Sequence, residues 1–291
     1  MKWKRVKSRN VIDVRGAASR SGSAPAIGGG LGLVGVLIYL GIQLLGGGGS
    51  GSGFAIEDLL QVSGGAPSAG DPQPIPRSKD PQRDLKDFSV YVFEDAQDGW
   101  QRTLPSGYDA AELVLFDGAV STDGCGEADS AVGPFYCPAD SRVYLDLTFY
   151  DDMRRELGAS GDFAWAYVIA HEIGHHVQNE TGLAAQVDRA TREQPGSANE
   201  LSVRQELQAD CYAGVWANSV FAEGALEPGD LDEAFAASEA VGDDRLQRQT
   251  GGAIDPDSFT HGTSEQRRRW FEAGYEAADP GACDTFSPAE V

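Results

Sequence analysis

Basic side chains are scarce beyond the first 25 residues of this 291-residue chain. Seven of its 23 Lys and Arg residues lie within residues 1–25, which hold only one of its 45 Asp and Glu residues. Because so acidic a chain repels the phosphate backbone of DNA or RNA, we expect no nucleic-acid partner. We interpret the acidity as a solubilising surface.

Cysteine is also rare and is never spaced as C-x-x-C, which argues against a cysteine zinc cluster and a thioredoxin-type redox motif. The four cysteines are Cys125, Cys137, Cys211 and Cys283. Four cysteines allow three pairings, and the sequence leaves the choice open. Our working hypothesis closes a loop with Cys125–Cys137 and ties back the C-terminal tail with Cys211–Cys283.

Charged side chains are absent from residues 26–45, AIGGGLGLVGVLIYLGIQLL. Twenty helical residues span about 30 Å, the thickness of a bilayer's hydrocarbon core. With the basic residues 1–25 before this segment, the positive-inside rule predicts a cytoplasmic N-terminus and a domain outside the cytoplasm, periplasmic or extracellular. We therefore predict a single-pass membrane anchor. A cleaved signal peptide and a buried Gly-rich helix are the alternatives.

Large apolar side chains are few in residues 63–83, which are rich in Gly, Pro and Ser, and residues 46–53 read GGGGSGSG, so we predict a flexible linker over residues 46–83. Residues 84–291 then form one folded domain, long enough to bury a core. Its layout, a small sheet followed by a helical region, predicts the α+β class, with a mainly antiparallel sheet.

Apolar periodicity and turn residues predict the elements of this domain. Helices are expected at 85–104, 161–178, 200–222, 230–247 and 264–277, strands at 112–118 and 142–147, an edge strand within 130–137, and a polar loop at 188–198. For the helix at 161–178, we expect Asp162 as N-cap and Gly182 just past the end.

Histidine is rare too, yet three of the four histidines lie in VIAHEIGHHVQ, residues 168–178. His171 and His175 are four residues apart, so on a helix both imidazoles project from one face, at the spacing that lets two nitrogens bind one ion. Glu172, about 100° around the helix, is placed to take a proton from a metal-activated water. A histidine-rich helix without metal is the alternative reading.

A catalytic zinc needs a third ligand, and Glu206 and Asp210 are four apart on a later predicted helix. Glu206 would complete a His₂Glu set with an open fourth position, and Asp210 would accept the outer N–H of a ligating histidine. A solvated acidic face is the alternative. His176 lies about 100° around the helix from His175 and is assigned either to packing or to supporting the ligand residues. His261 is expected either to steady an oxyanion or to be a capping or surface histidine.

Five segments carry a family resemblance. They are AYVIAHEIGHHVQ, NELSVRQELQADCYAGVW, EAVGDDRLQ, PDSFTHGTSEQRRRWF and GPFYCPAD…VYLDL. Together they resemble the putative neutral zinc metallopeptidase family over roughly residues 84–287, and HExxH with a later E-x-x-x-D is also similar to thermolysin-type gluzincins. The resemblance implies a zincin-like fold behind one membrane anchor. It also implies one Zn²⁺ on His171, His175 and Glu206, with Glu172 as base and Asp210 in support.

We therefore predict a membrane-anchored metallopeptidase that hydrolyses peptide bonds with a zinc-activated water and Glu172 as general base. Its partners would be a peptide or protein substrate, paired with an edge strand within 130–137, and the membrane. The alternatives are a non-catalytic, zinc-stabilised binding or chaperone-like module and another zinc hydrolase, such as an amidase acting on cell-wall peptides. The sequence specifies neither the substrate nor the oligomeric state.

Overall fold

A computed structural model describes residues 1–16, 66–104, 107–249, 251, 253–287 and 291. The predicted anchor, residues 26–45, lies outside these residues. Among the described helices, none is both long enough and apolar enough to cross a bilayer. The described residues form eight α-helices and six short strands, so the predicted α+β class is confirmed.

The helices and strands have the following bounds. The helices are α1 (Arg83–Thr103), α2 (Phe149–Arg155), α3 (Asp162–Glu180), α4 (Leu183–Glu193), α5 (Ala198–Ala222), α6 (Asp230–Ala240), α7 (Asp243–Gln249) and α8 (Ser264–Ala277). The strands are β1 (Val11–Asp13), β2 (Glu112–Phe116), β3 (Ala119–Ser121), β4 (Glu127–Asp129), β5 (Phe135–Cys137) and β6 (Arg142–Asp146).

The main sheet has the strand order β1-β2-β6-β5. β2 pairs in parallel with both β1 and β6, and only β5 runs antiparallel to its neighbour β6. The prediction of a mainly antiparallel sheet is therefore wrong. The sequence does contain a signal for parallel strands. β2 and β6 are nearly continuous apolar runs with four buried residues each, as is typical of parallel strands covered on both faces. The antiparallel β3 and β4 form a separate two-stranded sheet.

The chain before the predicted domain packs against it. β1 aligns Val11 with Leu113 of β2, and the Gly16 N–H donates to the Gln73 carbonyl at 2.7 Å. Arg15 is buried with its guanidinium on the carboxylates of Asp13 and Asp80. The folded part thus includes residues 1–16 and 66–83 in addition to the domain predicted at residues 84–291.

Two predicted helices differ in detail from those observed. The single helix expected at 230–247 is two helices, since the chain turns at Gly242, where an added Cβ would lie 2.3 Å from the Ser264 nitrogen. The polar loop expected at 188–198 begins later, because α4 continues to Glu193. The other long helices and the strands at 112–118 and 142–147 match their predictions within a few residues.

Helix α3 lies at the centre of the fold, packed against α1, α5 and α6. Its cap residue is Gly161, so the prediction of Asp162 as N-cap is wrong. The Phe163 N–H instead donates to the Glu233 carboxylate of α6, which occupies the space that a side chain at Gly161 would need. The helix ends as predicted, with Gly182 in a left-handed conformation at a φ of 76°.

Both disulfides of the working hypothesis are present, Cys125–Cys137 and Cys211–Cys283. The first joins the loop after β3 to the edge strand β5. The second ties the tail that follows α8 to the middle of α5, one residue after Asp210. The C-terminal tail is therefore part of the core around α5.

Candidate metal centre

Two helices meet closely at Gly174 of α3 and Ala209 of α5. A Cβ added to Gly174 would lie only 2.9 Å from the Ala209 carbonyl oxygen, so the crossing requires a glycine. Ala209 lies between Glu206 and Asp210, and the crossing therefore directs both acids toward α3. On α3, His171 lies one helical turn before His175.

The three predicted ligands converge in space. Glu206 places one carboxylate oxygen 3.2 Å from His171 Nε2 and the other 3.3 Å from His175 Nε2. All three ligand atoms lie within 4.8 Å of one another. Among the described residues, no fourth His, Cys, Asp or Glu joins this group.

The donor set fits zinc. Two ligand atoms about 2.0–2.1 Å from one ion, at a tetrahedral angle, lie about 3.3–3.4 Å apart, close to both histidine–glutamate distances. Both histidines bring Nε2 to the centre, while their Nδ1 atoms are engaged elsewhere. The Nδ1 of His171 lies 2.8 Å from Asp210 Oδ1, and that of His175 lies 3.0 Å from Gln178 Oε1. Such outer hydrogen bonds typically orient metal-ligating histidines.

Asp210 is fully buried, and besides contacting His171 it accepts hydrogen bonds from two side chains, Tyr167 and Arg267. The Tyr167 hydroxyl donates to Oδ1, and Arg267 donates from Nε to Oδ2 at 2.8 Å and from Nη2 to Oδ1 at 2.9 Å. Burial by itself raises the pKa of Asp210, but the charges of Arg267 and His171 outweigh it and the net pKa is lowered. Asp210 therefore remains an anion next to His171.

The pKa values of the two glutamates of the centre are shifted in opposite directions. Burial raises the pKa of Glu172 above its usual range, and the nearby His171 and His175 oppose this only in part. Burial also acts to raise the pKa of Glu206, yet the charge that His175 carries when protonated and the hydrogen bonds of both histidines hold it well below that range. Glu206 is thus kept anionic, as a ligand must be, while the environment of Glu172 favours accepting a proton.

A half-open cleft leads to this centre, and Glu172 and His261 both line it. Its other walls are largely apolar, including Val132, Pro134, Phe135, Phe149, Val168 and Val241. His261 is held in place by Asp243, whose Oδ1 lies 3.2 Å from His261 Nδ1. The other oxygen, Oδ2, accepts the backbone N–H groups of three consecutive residues, 260 to 262.

His176 does not join the metal ligands, in agreement with its assignment to a packing or supporting role. Its Nδ1 lies 3.0 Å from the Tyr136 hydroxyl and its Nε2 lies 2.7 Å from the Asp109 carbonyl oxygen. Since that carbonyl only accepts, His176 carries its proton on Nε2 and accepts from Tyr136 through Nδ1. This contact fixes β5 beside α3, and β5 is an edge strand of the described sheet, as predicted.

Sequence reasoning missed four residues of the centre. Tyr167 lies four positions before His171 and Gln178 three positions after His175, so helical spacing was an available signal for both. Arg267 is one of three consecutive arginines, and no pattern distinguishes it from its neighbours. The position of Asp243 depends on the turn at Gly242, which the sequence pattern did not predict.

Comparisons with known proteins identify a family and several relatives. The family model described as putative neutral zinc metallopeptidase matches residues 1–286. The chain is 44% identical over 296 residues to the uncharacterized protein YpfJ of Escherichia coli strain K12, covering 98% of this chain and 99% of that protein. It is 47% identical over 203 residues to the uncharacterized protein Rv2575 of Mycobacterium tuberculosis strain H37Rv, covering 66% and 67%. No solved structure matches the chain.

Proposed function

The chain belongs to the putative neutral zinc metallopeptidase family, and on that premise we propose that it is a zinc-dependent peptidase. The observation that carries the proposal is the convergence of His171, His175 and Glu206 within 4.8 Å, at a cleft that Glu172 also lines. When bound by these three residues, zinc would supply Lewis acidity, lowering the pKa of water toward about 7 and polarising a carbonyl.

Glu172 is the general base of the proposed reaction. It takes the proton of the attacking water and returns it to the departing amine as the peptide bond breaks. Its burial supports the first step, since a carboxylate with a raised pKa is a better proton acceptor than one in water. The side chain approaches the centre from the same helix as His171 and His175, which fixes its position relative to both.

His261 is the proposed electrophilic group. It lines the same cleft as Glu172, and its ring and backbone are both bound by Asp243. A donor held in this way can bind the oxygen on which negative charge develops, without reorganising during the reaction. This position favours the oxyanion role for His261 over that of a surface histidine.

The substrate is proposed to be an extended peptide. β5 is short and lies at an edge of the described sheet, fixed against α3 by the Tyr136–His176 contact. A peptide lying along such an edge can pair with strand backbone while its carbonyl faces the metal ligands. This combination of an edge strand and an HExxH helix supports the proposed zincin-like arrangement.

A zinc site that only stabilises a binding module is the competing proposal. Structural zinc sites are usually closed by four protein ligands, often cysteines. Here both disulfides engage all four cysteines, and the ligand group in the described residues has three members. The buried Glu172 beside this group favours catalysis.

Wild type and Glu172→Gln, compared as full chains, test the proposal, because residues 1–16 and 66–83 belong to the folded unit. We expect one zinc per chain in both by elemental analysis, and cleavage of an unfolded protein only by wild type. Glu180→Gln, on the same helix but outside the cleft, is the matched control and should cleave normally. Zinc with equal cleavage in Glu172→Gln would remove Glu172 as base. A folded wild type that binds no zinc would refute the function.

A further inference from the structure

We propose that Gln178 and Gln208 are positioning residues that fix the tautomer of His175, using the carbonyl of Cys283 in the disulfide-bonded tail as the fixed point. This inference rests on the proposed zinc centre. His171 is oriented by a carboxylate, whereas His175 contacts a neutral carboxamide, the Gln178 Oε1, at 3.0 Å. A carboxamide can present either an acceptor or a donor, so its orientation determines which nitrogen of His175 carries the proton.

The orientation of Gln178 follows from its surroundings. Its side chain is fully buried, and its Nε2 lies 2.7 Å from the backbone carbonyl oxygen of Gln205. Because a carbonyl oxygen can only accept, the NH₂ group of Gln178 must face Gln205, which leaves Oε1 facing His175. His175 Nδ1 therefore donates, and its Nε2 carries the free lone pair that a metal requires.

The second NH₂ hydrogen of Gln178 is directed at Gln208, whose orientation follows from its own partners in the same way. Gln178 Nε2 lies 3.1 Å from Gln208 Oε1, and Gln208 Nε2 lies 2.9 Å from the backbone carbonyl oxygen of Cys283. That carbonyl also can only accept, so it fixes the orientation of Gln208 and presents Oε1 to Gln178. The side-chain amides of Gln208 and Gln178, which link the Cys283 carbonyl to His175 by hydrogen bonds, are therefore each held in one of two orientations.

The tail that supplies this carbonyl is itself held. Cys283 is buried and bonded to Cys211 of α5. Two residues on, the Thr285 carbonyl accepts from Arg204 Nη1 at 2.6 Å, and the Thr285 hydroxyl donates to the Arg204 carbonyl at 2.6 Å. All these partners lie on α5, the helix that also carries Glu206. The tail and the third ligand are thus fixed to one rigid element.

The test is the zinc dissociation constant of the metal-stripped full chain, measured by competition with a chromophoric chelator at fixed pH. We expect Gln178→Leu to weaken zinc binding about 10- to 100-fold, the usual effect of losing a histidine's outer partner. Gln208→Leu should weaken it less, up to about 10-fold, since Gln205 still orients Gln178. Because the two amides act in series, the double variant should bind zinc no more weakly than Gln178→Leu alone.

Two further variants separate positioning from loss of stability. Gln97→Leu removes another buried carboxamide, bonded to Ala111 and Tyr108 and not to any of the three ligands, and should lower the melting temperature with unchanged zinc affinity. Gln178→Glu keeps an acceptor facing His175 Nδ1 but sets its other oxygen against the Gln205 carbonyl oxygen and Gln208 Oε1, so it should recover only part of the zinc affinity lost in Gln178→Leu.

The outcomes separate this inference from the proposed function. Zinc binding by wild type and by Gln178→Leu with equal affinity would overturn the positioning role while leaving the metal centre intact. Full additivity of the two glutamine variants would overturn the serial arrangement. Failure of wild type itself to bind zinc would refute the centre and this inference together.

Discussion

Arg267 binds Asp210 through two parallel hydrogen bonds, Nε to Oδ2 at 2.8 Å and Nη2 to Oδ1 at 2.9 Å. The same carboxylate lies 2.8 Å from His171 Nδ1. An arginine of α8 thus orients a histidine of α3 through an acid of α5. Since both side chains are buried, loss of Asp210 would leave Arg267 only the more distant Glu206, at 3.7 Å, as an acidic partner.

Arg267→Lys should weaken zinc binding by about 10-fold, because lysine keeps the charge but not the planar pair of donors that aligns Asp210. Chelator competition on the full chain measures the effect. Arg269→Lys, an exposed position on the same helix, is the matched control and should bind zinc as wild type does. Equal affinities in all three proteins would show that Asp210 orients His171 without Arg267.

His261→Asn should lower kcat by about 100-fold, the cost typical of losing one oxyanion donor. Zinc content and the melting temperature should stay at their wild-type values, because His261 is outside the ligand group. Steady-state kinetics on an unfolded protein substrate, with elemental analysis of the same samples, check both expectations. An unchanged kcat would remove His261 from the reaction and leave it a loop histidine.

Acid should weaken the junction between the N-terminal segment and the domain. Burial by itself raises the pKa of Asp13, but the hydrogen bonds and charges of Arg15 and Lys86 outweigh it, and the net pKa is lowered. A carboxylate whose pKa is lower in the folded than in the unfolded chain stabilises the fold above about pH 4. This contribution is lost as the pH falls through the folded-state value.

Asp13→Asn should therefore reduce the free energy of unfolding at pH 7 by on the order of 2 kcal/mol, since it leaves Arg15 with fewer partners in a buried site. The difference from wild type should shrink as the pH falls below about 4. Urea unfolding at a series of pH values measures it. Asp98→Asn, exposed on α1, is the control and should match wild type throughout. A gap that persists unchanged at low pH would contradict this account.

The pairing of β1 with β2 requires residues 1–16 to share a compartment with the domain. A single crossing by residues 26–45, as the sequence predicts, would place them on opposite sides of a membrane, so the two features are mutually exclusive in one molecule. We expect an epitope tag before residue 1 and one inserted at the exposed Gly251 to show the same protease accessibility in intact cells. Opposite accessibilities would show that β1 is not paired in the cell.

Much of the candidate metal centre is predictable because it depends on local spacing. Apolar periodicity defines α3 and α5, and the spacing of four residues places His171 with His175 and Glu206 with Asp210. That the two pairs meet was inferred from the chemistry of a three-ligand site, and the contact at Gly174 supplies the geometry. Helical spacing therefore predicts the three ligands better than it predicts the residues that orient them.

The unpredicted features depend on contacts distant in sequence. β1 has only three residues, and its partner β2 lies about a hundred positions later, so no local signal identifies it as a strand. Strand direction also depends on how the chain returns from β2 to β6, and the local signal for it is the nearly continuous apolar run of each strand. Likewise, the carbonyl of Cys283 has no side chain by which a sequence pattern can reveal its part in the site.

The tail disulfide has a consequence for biosynthesis. A nascent chain that has emerged only as far as the end of α5 already contains His171, His175 and Glu206, but lacks Arg267 and the Cys283 carbonyl. Support for the ligands is thus completed only when Cys283 has been made and has docked on α5. Fragments that end before α8 would carry the full ligand set in an unsupported form.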